Sequence, residues 1–132
     1  MNFSSLTAIT PVDGRYSSKT KELQVYFSEF GLIRYRVLVE VEYLIALVNT
    51  GIQPLDQFPK DKFESLRSIY LNFSEEDALW IKNTERTTNH DVKAVEYFLK
   101  NELEKGLKYL LPFTENFYND FGTVNLHDDL YY

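Results

Sequence analysis

Residues 85–91 form a polar run that holds the most chemically versatile side chains of the sequence. Two adjacent threonines, Asn89, His90 and Asp91 offer hydroxyls, an amide, an imidazole and a carboxylate within five positions. Asn89 is a favourable N-cap with Asp91 in the turn that follows, so we predict that the run precedes a helix and that His90 lies at its N-terminus. Backbone N–H groups at such a position attract anions, so the site could hold a phosphate. The alternative is a plain helix cap behind a polar loop.

A second candidate lies close to the amino terminus. Arg15 and Tyr16 follow an Asp-Gly pair, which is typical of a turn. A guanidinium on a turn suits the binding of a phosphate or carboxylate through two parallel hydrogen bonds. The alternative is a solvated loop arginine, because a pattern of four residues has little specificity.

Other reactive constellations are excluded by composition or spacing. The sequence has no cysteine, so it can form no disulfide, thiolate zinc site or cysteine nucleophile. His127 stands beside two aspartates but has no second histidine at ligand spacing, and we expect no bound metal. The serines lack a Gly-x-Ser-x-Gly motif, and no glycine-rich phosphate loop occurs.

Composition narrows the class of protein further. A chain of 132 residues with 44% hydrophobic side chains is expected to form one domain with a real core. Its net charge of −6 argues against binding to nucleic acid or to anionic lipid. The sequence shows neither a signal peptide nor an apolar run of about 18 residues, so we expect a soluble cytoplasmic protein without contact to membranes.

The hydrophobic spacing predicts an all-α fold. Residues 28–49 are apolar around most of the helix circumference, which is typical of a helix buried among others. The many β-branched residues of this segment favour a strand as the alternative, but the segment is far longer than a usual strand of about six residues. The remaining helices are predicted over residues 17–27, 60–72, a short stretch after Ser74, 92–106 and, with an interruption at Pro112, 107–121.

Charge and turn signals divide the chain into three parts. Residues 1–16 are predicted to form an irregular arm that carries the Arg15 turn, and residues 17–111 are predicted to form a helical domain. Residues 112–132 form an acidic tail, since residues 113–132 hold four acidic and no basic side chains.

Several stretches in the same order resemble the adenylosuccinate lyase family, within the fumarase and argininosuccinate lyase superfamily. The similarity covers about residues 5–105 and is carried by Leu6–Tyr16, Phe27–Leu32, Arg36–Glu42, Ser74–Asp77 and Glu85–Phe98. An ordered set of matches of this length is far more specific than a short motif.

The resemblance implies the N-terminal helical domain of the fumarase/aspartase-like lyase fold, in a homotetramer whose active sites are shared between subunits. It implies a carbon-nitrogen lyase of purine biosynthesis that needs no cofactor. Such an enzyme eliminates fumarate from adenylosuccinate to leave AMP, and from the succinylated carboxamide ribotide. A general base removes a proton beside a carboxylate, while a general acid protonates the departing nitrogen.

Position by position, the resemblance assigns substrate binding to two groups of residues. Arg15 and Tyr16 match the pair that contacts the nucleotide, and Asn89, His90 and Asp91 match a second substrate-binding segment. His90 is the candidate catalytic residue, in a binding or orienting role, because the family assigns the main general acid to a later histidine.

The sequence departs from the family after Lys105. The Thr-Ser-x-Asp motif, the histidine acid and the Ser-Ser-x-Met-Pro-x-Lys loop that carries the base are missing. We therefore expect an amino-terminal domain with a divergent or truncated end that is inactive alone. The alternatives are a non-catalytic helical module for assembly or regulation, and another lyase of the superfamily.

Overall fold

The computed structural model describes residues 1–53 and 55–106, and these residues form helices and turns without any strand. The all-α prediction is therefore confirmed for the described part of the chain. None of its helices combines the length and the apolarity needed to cross a bilayer. The α-helices are α1 Ser17–Thr20, α2 Gln24–Phe27, α3 Glu29–Thr50, α4 Phe63–Leu71, α5 Glu75–Thr88 and α6 Asp91–Gly106, with 3-10 turns at Lys21–Leu23, Leu55–Gln57 and Lys60–Lys62.

The chain divides into two compact units. The first is Met1–Leu32, and the second begins at Ile33. The domain limits predicted from sequence, after residues 16 and 111, stay predictions. The helix predicted over residues 107–121 and the acidic tail lie outside the described residues.

The helix predicted over residues 17–27 is interrupted, because a 3-10 turn separates α1 from α2. Ser28 then adopts an extended backbone and ends α2. Its hydroxyl accepts a hydrogen bond from the Gly31 N–H at 3.1 Å, so the same serine caps the start of α3. A Cβ on Gly31 would lie 2.8 Å from the backbone carbon of Tyr26, so this close approach requires glycine.

Helix α3 supplies the central element of the second unit. Ile33, Val37 and Val41 recur at steps of four residues and are almost completely buried. Tyr35 and Val39 lie on another face and are exposed, so α3 buries one face rather than its whole circumference. The prediction of a helix is confirmed, and the strand alternative is wrong.

A charged cluster joins α3 to α4. The Arg67 guanidinium donates to both carboxylate oxygens of Glu42, at 2.8 and 3.2 Å, and the Tyr70 hydroxyl donates to the same carboxylate at 2.8 Å. The hydrogen bond from Arg67 is the main reason that the pKa of Glu42 is lowered. Burial, followed by the bond to Glu42, raises the pKa of Tyr70.

Helix α5 begins directly after Ser74, as the sequence predicts. The Ser74 hydroxyl accepts from the Asp77 N–H at 3.2 Å, and the Asp77 carboxylate accepts from the Ser74 N–H at 2.9 Å. This reciprocal pair is a capping box. The helix has 14 residues, longer than the short helix predicted there.

Helices α5 and α6 pack through aromatic side chains. Phe98 of α6 lies edge-on to Phe73 at 5.6 Å between ring centroids and 6.0 Å from the Trp80 ring of α5. The predicted helix near residues 92–106 is present as α6, whose last residue is also the last described one. The core of the second unit contains Val37, Val41, Leu44, Ile45, Val48, Leu55, Phe58, Leu66, Tyr70, Ala78, Ile81, Ala94, Val95, Phe98, Leu99 and Leu103.

We predict that the Glu42→Gln substitution lowers the free energy of unfolding by about 1 kcal/mol at neutral pH, because it weakens a charge-assisted bond that is partly exposed. The pKa of Glu42 is lower in the folded state, so its contribution is present above the ordinary carboxyl range and is lost as the pH falls through the folded-state pKa. Urea unfolding of parent and variant between neutral pH and about pH 3 measures this difference.

Glu64→Gln is the matched control for this measurement. Glu64 contacts the same Arg67 at 3.2 Å, but its side chain is 85% exposed. Glu64→Gln should change the free energy of unfolding by less than about 0.5 kcal/mol at any pH from neutral to about 3. Two results would contradict the role given to Glu42. One is an equal effect of the two substitutions at neutral pH, and the other is a Glu42→Gln effect that grows as the pH falls.

Candidate functional site

The connection between α5 and α6 consists of two residues, Asn89 and His90. Asn89 has a φ of 52° and a ψ of 28°, which is the left-handed region, and its N–H donates to the Glu85 carbonyl at 2.8 Å. Asparagine tolerates this conformation better than most residues other than glycine. Asn89 therefore ends α5 and reverses the chain.

The prediction that Asn89 is the N-cap of the next helix is wrong. Helix α5 continues to Thr88, so residues 85–88 are helical rather than a loop. His90 takes the capping position instead, because its Nδ1 accepts a hydrogen bond from the Lys93 N–H at 3.1 Å. A residue in the left-handed region cannot also hold the extended backbone of an N-cap. The prediction that His90 lies at a helix N-terminus is confirmed.

The capping bond defines the chemistry of the His90 ring. Nδ1 accepts a hydrogen bond, so the neutral ring carries its hydrogen on Nε2. Nε2 is then the nitrogen that can donate a hydrogen bond to an oxygen of a bound molecule. The bond also restricts rotation of the ring, which favours an orienting role.

Thr88 holds the backbone of the same histidine. Its hydroxyl accepts from the His90 N–H at 3.3 Å and donates to the His90 carbonyl at 3.1 Å. The last residue of α5 and the first turn of α6 thus both fix His90.

Asp91 connects this turn to α3. One carboxylate oxygen accepts from the Val92 N–H at 2.8 Å, and the other lies 2.7 Å from a guanidinium nitrogen of Arg36. Sequence reasoning did not single out Arg36. The two partners are far apart along the chain, and an arginine in an apolar helix gives no local sign of its ion pair.

A groove of about 740 Å³ runs along α5 and α6 and reaches Thr88, the last residue of α5. Trp80 and Tyr97 provide aromatic surface, whereas Thr87 and Lys100 provide polar groups. A mixture of aromatic and hydrogen-bonding side chains suits a ligand that has both a flat ring and charged substituents.

The second group of site residues belongs to the first unit. Arg15 donates a hydrogen bond of 2.5 Å to the Tyr16 hydroxyl, and its guanidinium carbon lies 4.6 Å from the centre of the Tyr16 ring. Gly14 permits the preceding turn, because a Cβ there would lie 2.6 Å from the Ser5 carbonyl oxygen. The Asp-Gly turn predicted from sequence is present, and the guanidinium is held against a neighbouring ring.

The structure thus brings Arg15 together with Tyr16 in the first unit. It brings Asn89, His90 and Asp91 together in the second. The binding and catalytic roles of all five residues stay predictions.

Comparison with known proteins identifies several adenylosuccinate lyases that are similar to this chain. The adenylosuccinate lyase of Dictyostelium discoideum is 49% identical over 117 residues, which are 87% of this chain and 25% of that protein. Those of Vibrio cholerae and Escherichia coli K12 are 54% and 53% identical over 104 residues, which are 78% of this chain and 23% of each relative.

No family model matches the sequence. The chain spans about a quarter of the length of the curated relatives that it matches. The resemblance predicted from the sequence motifs is confirmed over that segment.

We predict that the neutral imidazole of His90 carries its proton on Nε2, since Nδ1 accepts the Lys93 N–H. Long-range ¹H–¹⁵N spectra of the chain in alkaline buffer measure the tautomer, and His127 gives the reference signal of the other histidine in the same sample. His90 with its proton on Nδ1 would contradict the capping bond.

Proposed function

We propose that this chain, which is similar to adenylosuccinate lyases over most of its length, forms the amino-terminal substrate-binding part of such an enzyme. The observation that carries the proposal is about 50% identity over 78–87% of the chain. The whole enzyme would eliminate fumarate from adenylosuccinate to leave AMP, and from the succinylated carboxamide ribotide in purine biosynthesis. It would need no cofactor.

The elimination breaks a carbon-nitrogen bond and forms the double bond of fumarate. A base takes the proton from the carbon beside a carboxylate, and an acid gives a proton to the leaving nitrogen. The motifs that resemblance assigns to the base and to the main acid do not occur in this sequence. The share of this chain in the reaction is therefore binding and orientation.

Arg15 and His90 divide this task. The planar guanidinium of Arg15 can donate two parallel hydrogen bonds to a phosphate or carboxylate. His90 presents Nε2 from a ring that is fixed through Nδ1, and so it can orient an oxygen of the nucleotide or succinyl group. Asn89, Asp91 and Tyr16 complete the proposed contacts.

The proposal includes assembly and location. The active enzyme would be a cytoplasmic homotetramer with active sites built from several subunits. Exposed apolar side chains on α3, such as Tyr35 and Val39, support burial of this helix face in a larger assembly.

A non-catalytic module for assembly or regulation is the second candidate. Its native polypeptide would lack the motifs that resemblance assigns to the acid and the base. The two candidates differ in whether the polypeptide made in the cell continues beyond Tyr132 into those motifs, which the intact mass of the native protein measures.

We predict that the chain of 132 residues releases no fumarate from adenylosuccinate above background. The loss of an acid or a base costs about a hundredfold to ten-thousandfold in rate, and here both are missing. An absorbance assay for fumarate measures the rate. Release that increases with protein concentration and persists after repurification would refute the prediction.

We also predict distinct effects of two substitutions in a full-length lyase that carries these residues. Arg15→Lys should raise KM about tenfold, because an ammonium group replaces a fork that binds two oxygens. His90→Ala should lower kcat about tenfold or more, because the substrate loses an orienting contact. Steady-state kinetics on adenylosuccinate separate the two constants.

The control is Arg34→Lys. Arg34 donates from Nε to the Tyr70 carbonyl at 3.3 Å, a structural contact between α3 and α4. This variant should keep kcat/KM within about twofold of the parent. If Arg15→Lys and His90→Ala also keep kcat/KM within about twofold of the parent, the two positions are only a turn and a helix cap.

A further inference from the structure

We propose that Arg36 is a positioning residue of the substrate site, which acts by fixing and neutralising the Asp91 carboxylate. This inference rests on the proposed function, because it assigns a partner to one of its substrate-binding residues. It adds a residue of α3 to the residues that the resemblance assigns to substrate binding.

The geometry defines the orientation of Asp91. Its Oδ1 accepts the Val92 N–H at 2.8 Å, and its Oδ2 lies 2.7 Å from a guanidinium nitrogen of Arg36. With one oxygen engaged by α6 and the other by α3, the carboxylate has little rotational freedom. The guanidinium also places a full positive charge against the aspartate.

Arg36 lies on a segment of α3 that is packed into the core of the second unit. Ile33 and Val37, on either side of it along α3, are 1% and 0% exposed. Glu42, further along the same helix, holds Arg67 and Tyr70 of α4. The ion pair therefore connects the first turn of α6 to the core.

Electrostatics supply the reason for such a pair. Adenylosuccinate carries a phosphate and two carboxylates, so an uncompensated carboxylate in its binding site repels it. Paired with Arg36, Asp91 can accept hydrogen bonds from a ligand while the pair as a whole carries no net charge. Without Arg36, the same aspartate becomes a repulsive group at the site.

The test uses steady-state kinetics of a full-length lyase that carries these residues. Arg36→Gln should raise KM for adenylosuccinate about tenfold and change kcat by less than about threefold, because the proposed role is in binding. Arg36→Lys keeps the charge and should bring KM back to within about threefold of the parent. Arg34→Gln, two positions away, loses a structural contact with Tyr70 and should leave KM within about twofold.

Two further readouts separate this role from a merely structural one. The KM defect of Arg36→Gln should shrink as the salt concentration rises, because salt screens repulsion between exposed charges. Asp91→Asn combined with Arg36→Gln should lower KM about threefold or more below that of Arg36→Gln alone, since no carboxylate then needs a counter-charge. A structural defect predicts neither result.

The outcomes distinguish the inference from the function on which it rests. A parent enzyme without lyase activity would overturn the proposed function and the inference with it. An active parent whose KM is unchanged or salt-independent in Arg36→Gln would overturn the inference alone. If Arg36→Gln does not fold, as judged by circular dichroism, the double variant is compared with Asp91→Asn alone. Equal KM values support the inference, because Arg36 then has no carboxylate to neutralise. A higher KM in the double variant, or a double variant that also fails to fold, makes Arg36 a structural residue and overturns the inference.

Discussion

The reversal of the chain between α5 and α6 takes place in two residues, and the second unit is organised around this constraint. So short a connection requires a left-handed residue to end the first helix and a side chain to cap the second. Asn89 meets the first requirement and His90 the second. Nδ1 of the imidazole therefore has a structural role, and its hydrogen bond also fixes the orientation of Nε2. Helix capping and substrate orientation become two uses of one ring.

Charged contacts attach this turn and the neighbouring helices to α3. Arg36 pairs with Asp91, and Glu42 pairs with Arg67, at distances of 2.7 and 2.8 Å. Both pairs are partly exposed, so each adds little to the free energy of unfolding. Their value lies in orientation, because guanidinium and carboxylate groups meet in a narrow range of geometries. The apolar side chains of α3 provide the burial, and its charged side chains align the elements around it.

Much of the fold could be predicted from periodicity and capping, but the site only in part. Helix α3 was predictable because a long apolar run cannot be one strand. The start of α5 was predictable because a capping hydroxyl followed by acidic residues is a local signal. Asn89 was placed in the wrong role because asparagine is favoured both before a helix and in the left-handed position after one. The length of α5 was underestimated, because its last turn is polar and shows no hydrophobic period. The Arg36 ion pair depends on packing between distant segments, which no local pattern records.

The short connection between α5 and α6 also bears on the order in which the chain folds. Loop closure costs more conformational entropy as loops lengthen, and contacts between neighbours in sequence form fastest. Phe98 meets Trp80 across this hairpin, and the Ser74 capping box helps α5 to nucleate. The hairpin can thus assemble ahead of the contacts that α3 makes with α4, which join residues farther apart in sequence. The residues proposed to orient the substrate then lie in the part of the chain that takes shape early, and the docking of α3 completes their surroundings.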